Sequence, residues 1–94
     1  MSLDFSDKMA KSKNIKKLPK DIKKIGLRLR AIRKNLGYGN SDEFANKYEL
    51  DRAQYGKYET GSQDFRMSSL IKILDSIGYR LSDFFNEDYD NIEI

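Results

Sequence analysis

The apolar residues fall into helical stripes separated by polar punctuation. From Pro19 onward, Ile22, Ile25, Leu29, Ile32 and Leu36 recur at spacings of 3, 4, 3 and 4, which aligns them on one face of an α-helix. Pro19 suits the entry of such a helix. Gly37-Tyr38-Gly39 ends it, with Gly37 placed for a left-handed C′ residue. Arg28, Arg30, Arg33 and Lys34 lie mostly off the stripe. Asn40 then opens a second helix as a cap, with Glu43 completing a capping-box-like pattern three residues on. Phe44, Ala45 and Tyr48 give this short helix one apolar face, and Glu49-Leu50-Asp51 breaks it. Asp51 can cap a third helix over 52–60, and Gly61 can close it. Two short helices joined by about three residues form a helix-turn-helix candidate.

Ser62 to Arg66 reads as a loop. Met67, Leu70, Leu74, Ile77 and Leu81 repeat the 3-4-3-4 spacing, and Ile71 and Ile73 widen the stripe. A helix apolar over so much of its circumference belongs at the centre of a small domain. Gly78-Tyr79 interrupts it, and Leu81, Phe84 and Phe85 mark a fifth, short helix. The pattern predicts an all-α fold, a compact bundle of five short helices. Residues 1–18 lack a sustained period and read as a basic flexible arm. Residues 19–85 form one domain, with the paired helices at about 41–60. Residues 86–94 are a short acidic tail, either loose or packed on a partner subunit.

Composition narrows this picture. The chain has 94 residues, enough for one small domain. It contains no Val and a single Thr, so the β-branched residues that favour pleated sheets come almost only from Ile. Cys and His are both absent. That excludes a disulfide scaffold, a zinc finger, a Cys nucleophile and His-based acid–base chemistry. The sequence points to no metal and no cofactor. A nuclease working with Lys, Arg and Tyr alone is the enzyme class that composition leaves open, but such enzymes usually need a platform sheet, and the expectation is a non-enzyme. The first twenty residues lack the apolar segment of a secretory signal. The run Leu70-Ile71-Lys72-Ile73-Leu74 is too short to span a bilayer. The expectation is a soluble cytoplasmic protein with no membrane partner.

The net charge of +3 hides a gradient: residues 1–36 hold 12 Lys/Arg and 3 Asp/Glu, whereas residues 67–94 hold 2 and 6. A basic front can steer toward a polyanion, or can serve only as a solvated arm.

Four segments carry a resemblance. These are Ile25-Gly26-Leu27-Arg28-Leu29-Arg30-Ala31-Ile32-Arg33, Glu43-Phe44-Ala45, Tyr55-Gly56-Lys57-Tyr58-Glu59-Thr60-Gly61 and Leu81-Ser82-Asp83-Phe84-Phe85. In this order, over residues 25–85, the chain resembles the Cro and lambda-repressor-type helix-turn-helix domain, the XRE family. The resemblance implies a five-helix bundle that binds double-stranded DNA sequence-specifically, usually as a homodimer on a palindromic operator, and so a nucleoid-associated transcriptional regulator, most readily a repressor. Three departures stand out. The loop from Arg33 to Ala45 is one residue longer than usual. Glu49 occupies the turn position usually held by Gly. Arg66 replaces the Pro common after the recognition helix.

The resemblance places base contacts at Arg52, Ala53 and Lys57, with Gln54 nearby. Their chemistry agrees: Arg52 or Lys57 can bond guanine O6 and N7, and Ala53 can touch a thymine methyl. Gly56, one turn after Arg52, leaves the helix thin where DNA would approach. The position matching Ser41 contacts phosphate in the family, and Asn40 beside it opens the same helix; Gln63 and Arg66 are further phosphate candidates. The Lys-rich arm from Lys8 to Lys20 either wraps DNA or only solubilises. Tyr55 and Tyr58 match apolar family positions and belong to the core rather than to base stacking. The family often pairs the glutamate at the Glu59 position with an arginine on the first helix, which here is Arg33, as a bidentate bridge. Two alternatives share the fold: an antitoxin that also binds a toxin subunit, and a protein–protein adaptor without DNA binding.

Overall fold

The computed structural model describes residues 18–94. Of the basic arm expected over residues 1–18, residues 1–17, and any role they have on DNA, lie outside the described residues, and Lys20, the end of the Lys-rich stretch, opens the first helix. All regular elements among the described residues are helices: α1 (Lys20–Asn35), α2 (Ser41–Lys47), α3 (Arg52–Thr60), α4 (Met67–Ile77), α5 (Leu81–Phe84) and α6 (Glu87–Asp90). The first five are the bundle that the apolar spacing predicts. The sixth is a single turn within the acidic tail.

Capping chemistry accounts for the boundaries. Asn40 Oδ1 accepts the Glu43 N–H at 2.8 Å, and the Glu43 carboxylate reaches back to the Gly39 N–H at 3.1 Å. Asp51 Oδ1 accepts the Gln54 N–H at 2.9 Å at the start of α3. The first four helices all end on a left-handed residue, followed by a backbone bond back across the last turn. That residue is glycine after α1, α3 and α4 (Gly37, Gly61 and Gly78) and Glu49 after α2, with φ 56°. The Leu50 N–H bonds the Ala45 carbonyl at 2.7 Å and fixes the turn between α2 and α3. Glu49 thus adopts the glycine-type backbone its position implied, although its Cβ makes that conformation unfavourable.

The core gathers Leu29 and Ile32 from α1, Phe44 and Ala45 from α2, Tyr55 and Tyr58 from α3, Leu70, Ile73 and Leu74 from α4, and Phe84. Tyr55 lies against Phe44 with ring centroids 5.0 Å apart, and Tyr58 stacks on Phe65 at 4.1 Å. Both tyrosines therefore serve the core. The Tyr55 hydroxyl is buried without a hydrogen-bond partner among the described residues, and burial pushes its ionisation far above the ordinary tyrosine range. Helix α1 packs mainly on α3. Gly26 makes this approach possible: a Cβ there would stand 2.2 Å from the Tyr58 carbonyl oxygen.

Three expectations change. The apolar stripe of α4 is only partly interior: Leu70, Ile73 and Leu74 are buried, whereas Met67, Ile71 and the following Leu81 stay exposed. Leu36, at the end of the first stripe, is exposed as well. The tail of residues 86–94 is anchored on its own chain at Tyr89 of α6, which is buried and whose hydroxyl donates to Asp21 Oδ2 on α1 at 2.9 Å. Lys24 lies over the Tyr89 ring, 4.7 Å from its centroid. A buried aromatic with a cationic cover and a carboxylate acceptor holds the tail against its own first helix.

Candidate nucleic-acid interface

Helices α2 and α3 are the short pair joined at Glu49, and α3 turns one side to the core and the other to solvent. Tyr55, Tyr58 and Glu59 are buried, while Arg52, Ala53, Gln54, Lys57 and Thr60 are exposed. At about 100° per residue, Ala53 and Lys57 lie opposite the buried stripe, with Arg52 and Gln54 on its two flanks. Gly56 faces α2 rather than open solvent: a Cβ there would meet Ser41 Oγ at 4.0 Å, an ordinary contact.

A polar groove runs along each flank of α3. The first, of about 640 Å³, is lined by Gln54, Gln63, Asp64 and Arg66 over a floor that includes Tyr58 and Phe65. The second, of about 500 Å³, brings Asn40 and Ser41 together with Arg33, Glu59 and Thr60. The chain thus places Gln54 with Gln63 and Arg66, and places Asn40 with Ser41. It does not bring these two sets together, since the body of α3 separates them. Arg52, Ala53 and Lys57 line neither groove and stand on the helix between. Lys23 and Arg30 of α1 also line the second groove. Neither belongs to the site expected from the sequence, where Arg30 lies off the apolar stripe. The available signal was their spacing of seven residues, two helical turns on the side next to Gly26.

Arg33 and Glu59 form the floor of the second groove. Arg33 Nε donates to Glu59 Oε2 at 2.8 Å and Nη2 to Oε1 at 3.0 Å. The third guanidinium nitrogen, Nη1, donates to the Tyr38 carbonyl at 2.9 Å. The two side chains are only 5% and 7% exposed. The hydrogen bond to Glu59 raises the Arg33 pKa further, against the opposing effect of burial. The pair ties the C-terminal half of α3 to α1, so the outward face of α3 is held from behind. A second buried arginine was not foreseen. Arg28 Nε donates to the Phe84 carbonyl at 3.1 Å and Nη2 to the Asp83 carbonyl at 3.0 Å. Nη2 also reaches Asn86 Oδ1 at 3.4 Å. Its acceptors are mostly backbone oxygens, which no side-chain pattern announces.

Among the described residues no group of His, Cys, Asp or Glu is arranged to hold a metal ion. No helix among them is long and apolar enough to cross a membrane.

The short helix pair, the exposed second helix and the bundle behind it define a helix-turn-helix DNA-binding regulator of the Cro and lambda-repressor type. No family model matches the chain. It is similar to the control protein C.MunI of a Mycoplasma species, at 32% identity over 68 residues that span 71% of this chain and 92% of the relative. Its fold is similar to the crystal structure of the restriction-modification controller protein C.AhdI from Aeromonas hydrophila, with a TM-score of 0.62 and 25% identity over 71% of this chain and all of the other. The chain belongs to the family of control proteins.

Proposed function

We propose that this protein controls transcription of restriction-modification genes by binding an operator as a homodimer, with α3 in the major groove. The observation that carries this reading is the placement of α3 as an exposed ridge between two polar grooves. A major groove about 12 Å wide accepts one helix and is bordered by two phosphate backbones, so a ridge with a phosphate-binding flank on each side matches its cross-section. Arg52, Ala53, Gln54 and Lys57 read base edges. Ser41 and the free amide of Asn40 hold one backbone, and Gln63 and Arg66 hold the other. Phosphate contacts of this kind fix position and orientation, while the base contacts supply specificity.

The exposed apolar side chains Met67, Ile71, Leu81 and Phe85 support self-association on the side of α4 and α5. Two copies on a palindromic site would centre their half-sites about 34 Å apart. Kinship with control proteins favours a regulator over an antitoxin or a fold-retaining adaptor, and supports a non-enzymatic role.

The test is binding of duplexes selected from random DNA. Arg52→Ala should weaken the selected duplex by about 1–3 kcal/mol and relax preference at one base position. Equal affinity of the wild-type protein for selected and scrambled duplexes would overturn the proposal.

A further inference from the structure

The groove between α1 and the start of α2 has a feature that the helix-turn-helix pair does not need. Three cations line it, Lys23, Arg30 and Arg33, against one carboxylate, Glu59. Glu59 is already bound twice by Arg33. Lys23 and Arg30 are both exposed, and neither has an ion-pair partner among the described residues; the Glu43 carboxylate at the edge of the groove is taken up by the Gly39 N–H at 3.1 Å. The other grooves differ. The one holding Gln63 is lined by one carboxylate, Asp64, and one cation, Arg66, and the one between α3 and α4 by Asp51 and Lys72, so each carries both signs equally.

Position adds to charge. Lys23, Leu27 and Arg30 are spaced by four and three residues on one side of α1, and all three line this groove. That side adjoins the tight α1–α3 contact: a Cβ on Gly61 would meet Lys23 Cα at 2.9 Å. The two cations are thus mounted on the longest helix, at a fixed offset from the end of α3. Beside them stand the Ser41 hydroxyl and the Asn40 side chain. Two free cations and two neutral hydrogen-bonding side chains in one open channel suit consecutive phosphodiesters, each with one negative charge, better than a carboxylate ligand or an apolar one.

We infer that Lys23 and Arg30 form a phosphodiester-binding stripe on α1, which extends the contact of each subunit along one DNA strand beyond the segment held by α2 and α3. This inference rests on the DNA-binding reading above. The stripe carries affinity and salt dependence but no base preference. Arg33 has no direct part, because its guanidinium is committed to Glu59 and to the Tyr38 carbonyl.

The experiment measures the salt dependence of binding to the highest-affinity duplex selected by the wild-type protein. Each neutralised phosphate contributes about 0.9 to the slope of log K against log salt. Lys23→Gln with Arg30→Gln, which keeps much of the aliphatic stems, should lower the slope by about 1.8 per subunit while the ratio of selected to scrambled affinity stays unchanged. Lys23→Arg with Arg30→Lys should restore the wild-type slope, and Lys47→Ala, on the far end of α2, should leave it unaltered. Circular dichroism melts of the same variants establish that they fold. A double-Gln variant that folds and keeps the wild-type slope overturns the stripe and leaves the operator reading standing. So does one that loses selectivity instead of salt dependence. A wild-type protein with no preference for any selected duplex overturns the operator reading and the stripe with it.

Discussion

Arg28 and Arg33 lie less than two turns apart on α1, and both are buried, yet they hold different parts of the molecule by different chemistry. Arg33 meets a carboxylate on α3 in a two-bond fork and so fixes the ridge that would enter the groove. Arg28 meets the backbone carbonyls of Asp83 and Phe84 and so fixes α5 and the tail. Its nearest carboxylate, Asp88, stands at 4.0 Å and is largely exposed, which makes that contact weak. One helix therefore serves as the common frame, with α3 and the C-terminal half attached to it separately. A charge-for-charge pair demands one partner at one position. A fork onto carbonyls accepts any residue type there, so long as the backbone ends in the right place.

This contrast can be broken in measurable ways. The largest effect belongs to Arg33→Ala or Glu59→Ala, each of which strands a buried charge and should cost about 3–5 kcal/mol in chemical denaturation. The double variant should cost clearly less than the two added together, and unchanged melting temperatures in both single variants would remove the bridge as a stabilising element. Next comes Arg28→Ala, which leaves carbonyls without their donor and should cost about 1–3 kcal/mol. Its hydrogen exchange should rise in α5 and α6 while α3 stays protected. Faster exchange in α3 to the same degree would show that the two attachments are not separate.

A smaller change, of opposite sign, is expected at the turn between α2 and α3. Glu49 holds a left-handed backbone that costs an L-residue roughly 1–2 kcal/mol, and Glu49→Gly should recover about 1 kcal/mol of this in a thermal melt. The smallest effect concerns pH and the tail. Burial, with the bond to Asp21 adding to it, pushes the Tyr89 hydroxyl up to about 12 from an ordinary 10.0. Below the ordinary value its contribution to stability is fully present. Above it the unfolded chain ionises first, so stability falls as pH rises toward about 12. Denaturation midpoints across this window should fall less steeply for Tyr89→Phe than for the wild type.

Legibility follows the same division. The first five helices were readable because apolar spacing and caps such as Asn40 and Asp51 act within a few residues. The Arg33–Glu59 pair was readable through the resemblance, which supplies both partners as side chains at known positions. The left-handed turn at Glu49 was readable because one backbone conformation suits that position whatever residue occupies it. Arg28 was not, since carbonyl acceptors are present at every residue and leave no mark in the sequence. Tyr89 in the tail gave no local sign of its destination, because Asp21 lies 68 residues away along the chain. The exposed Met67 and Ile71 looked like core, as spacing marks an apolar face without saying what covers it.

What the sequence by itself determined is the first five helices, their ends and the side of each that is apolar, because these depend on interactions between residues a turn or less apart. Only the tertiary structure decided that the acidic tail closes onto α1, that Arg28 is an anchor, and that Lys23 and Arg30 share a channel with Ser41. Those outcomes require distant segments to meet at particular angles. Close packing at points such as Gly26 sets these angles, and no local pattern encodes them.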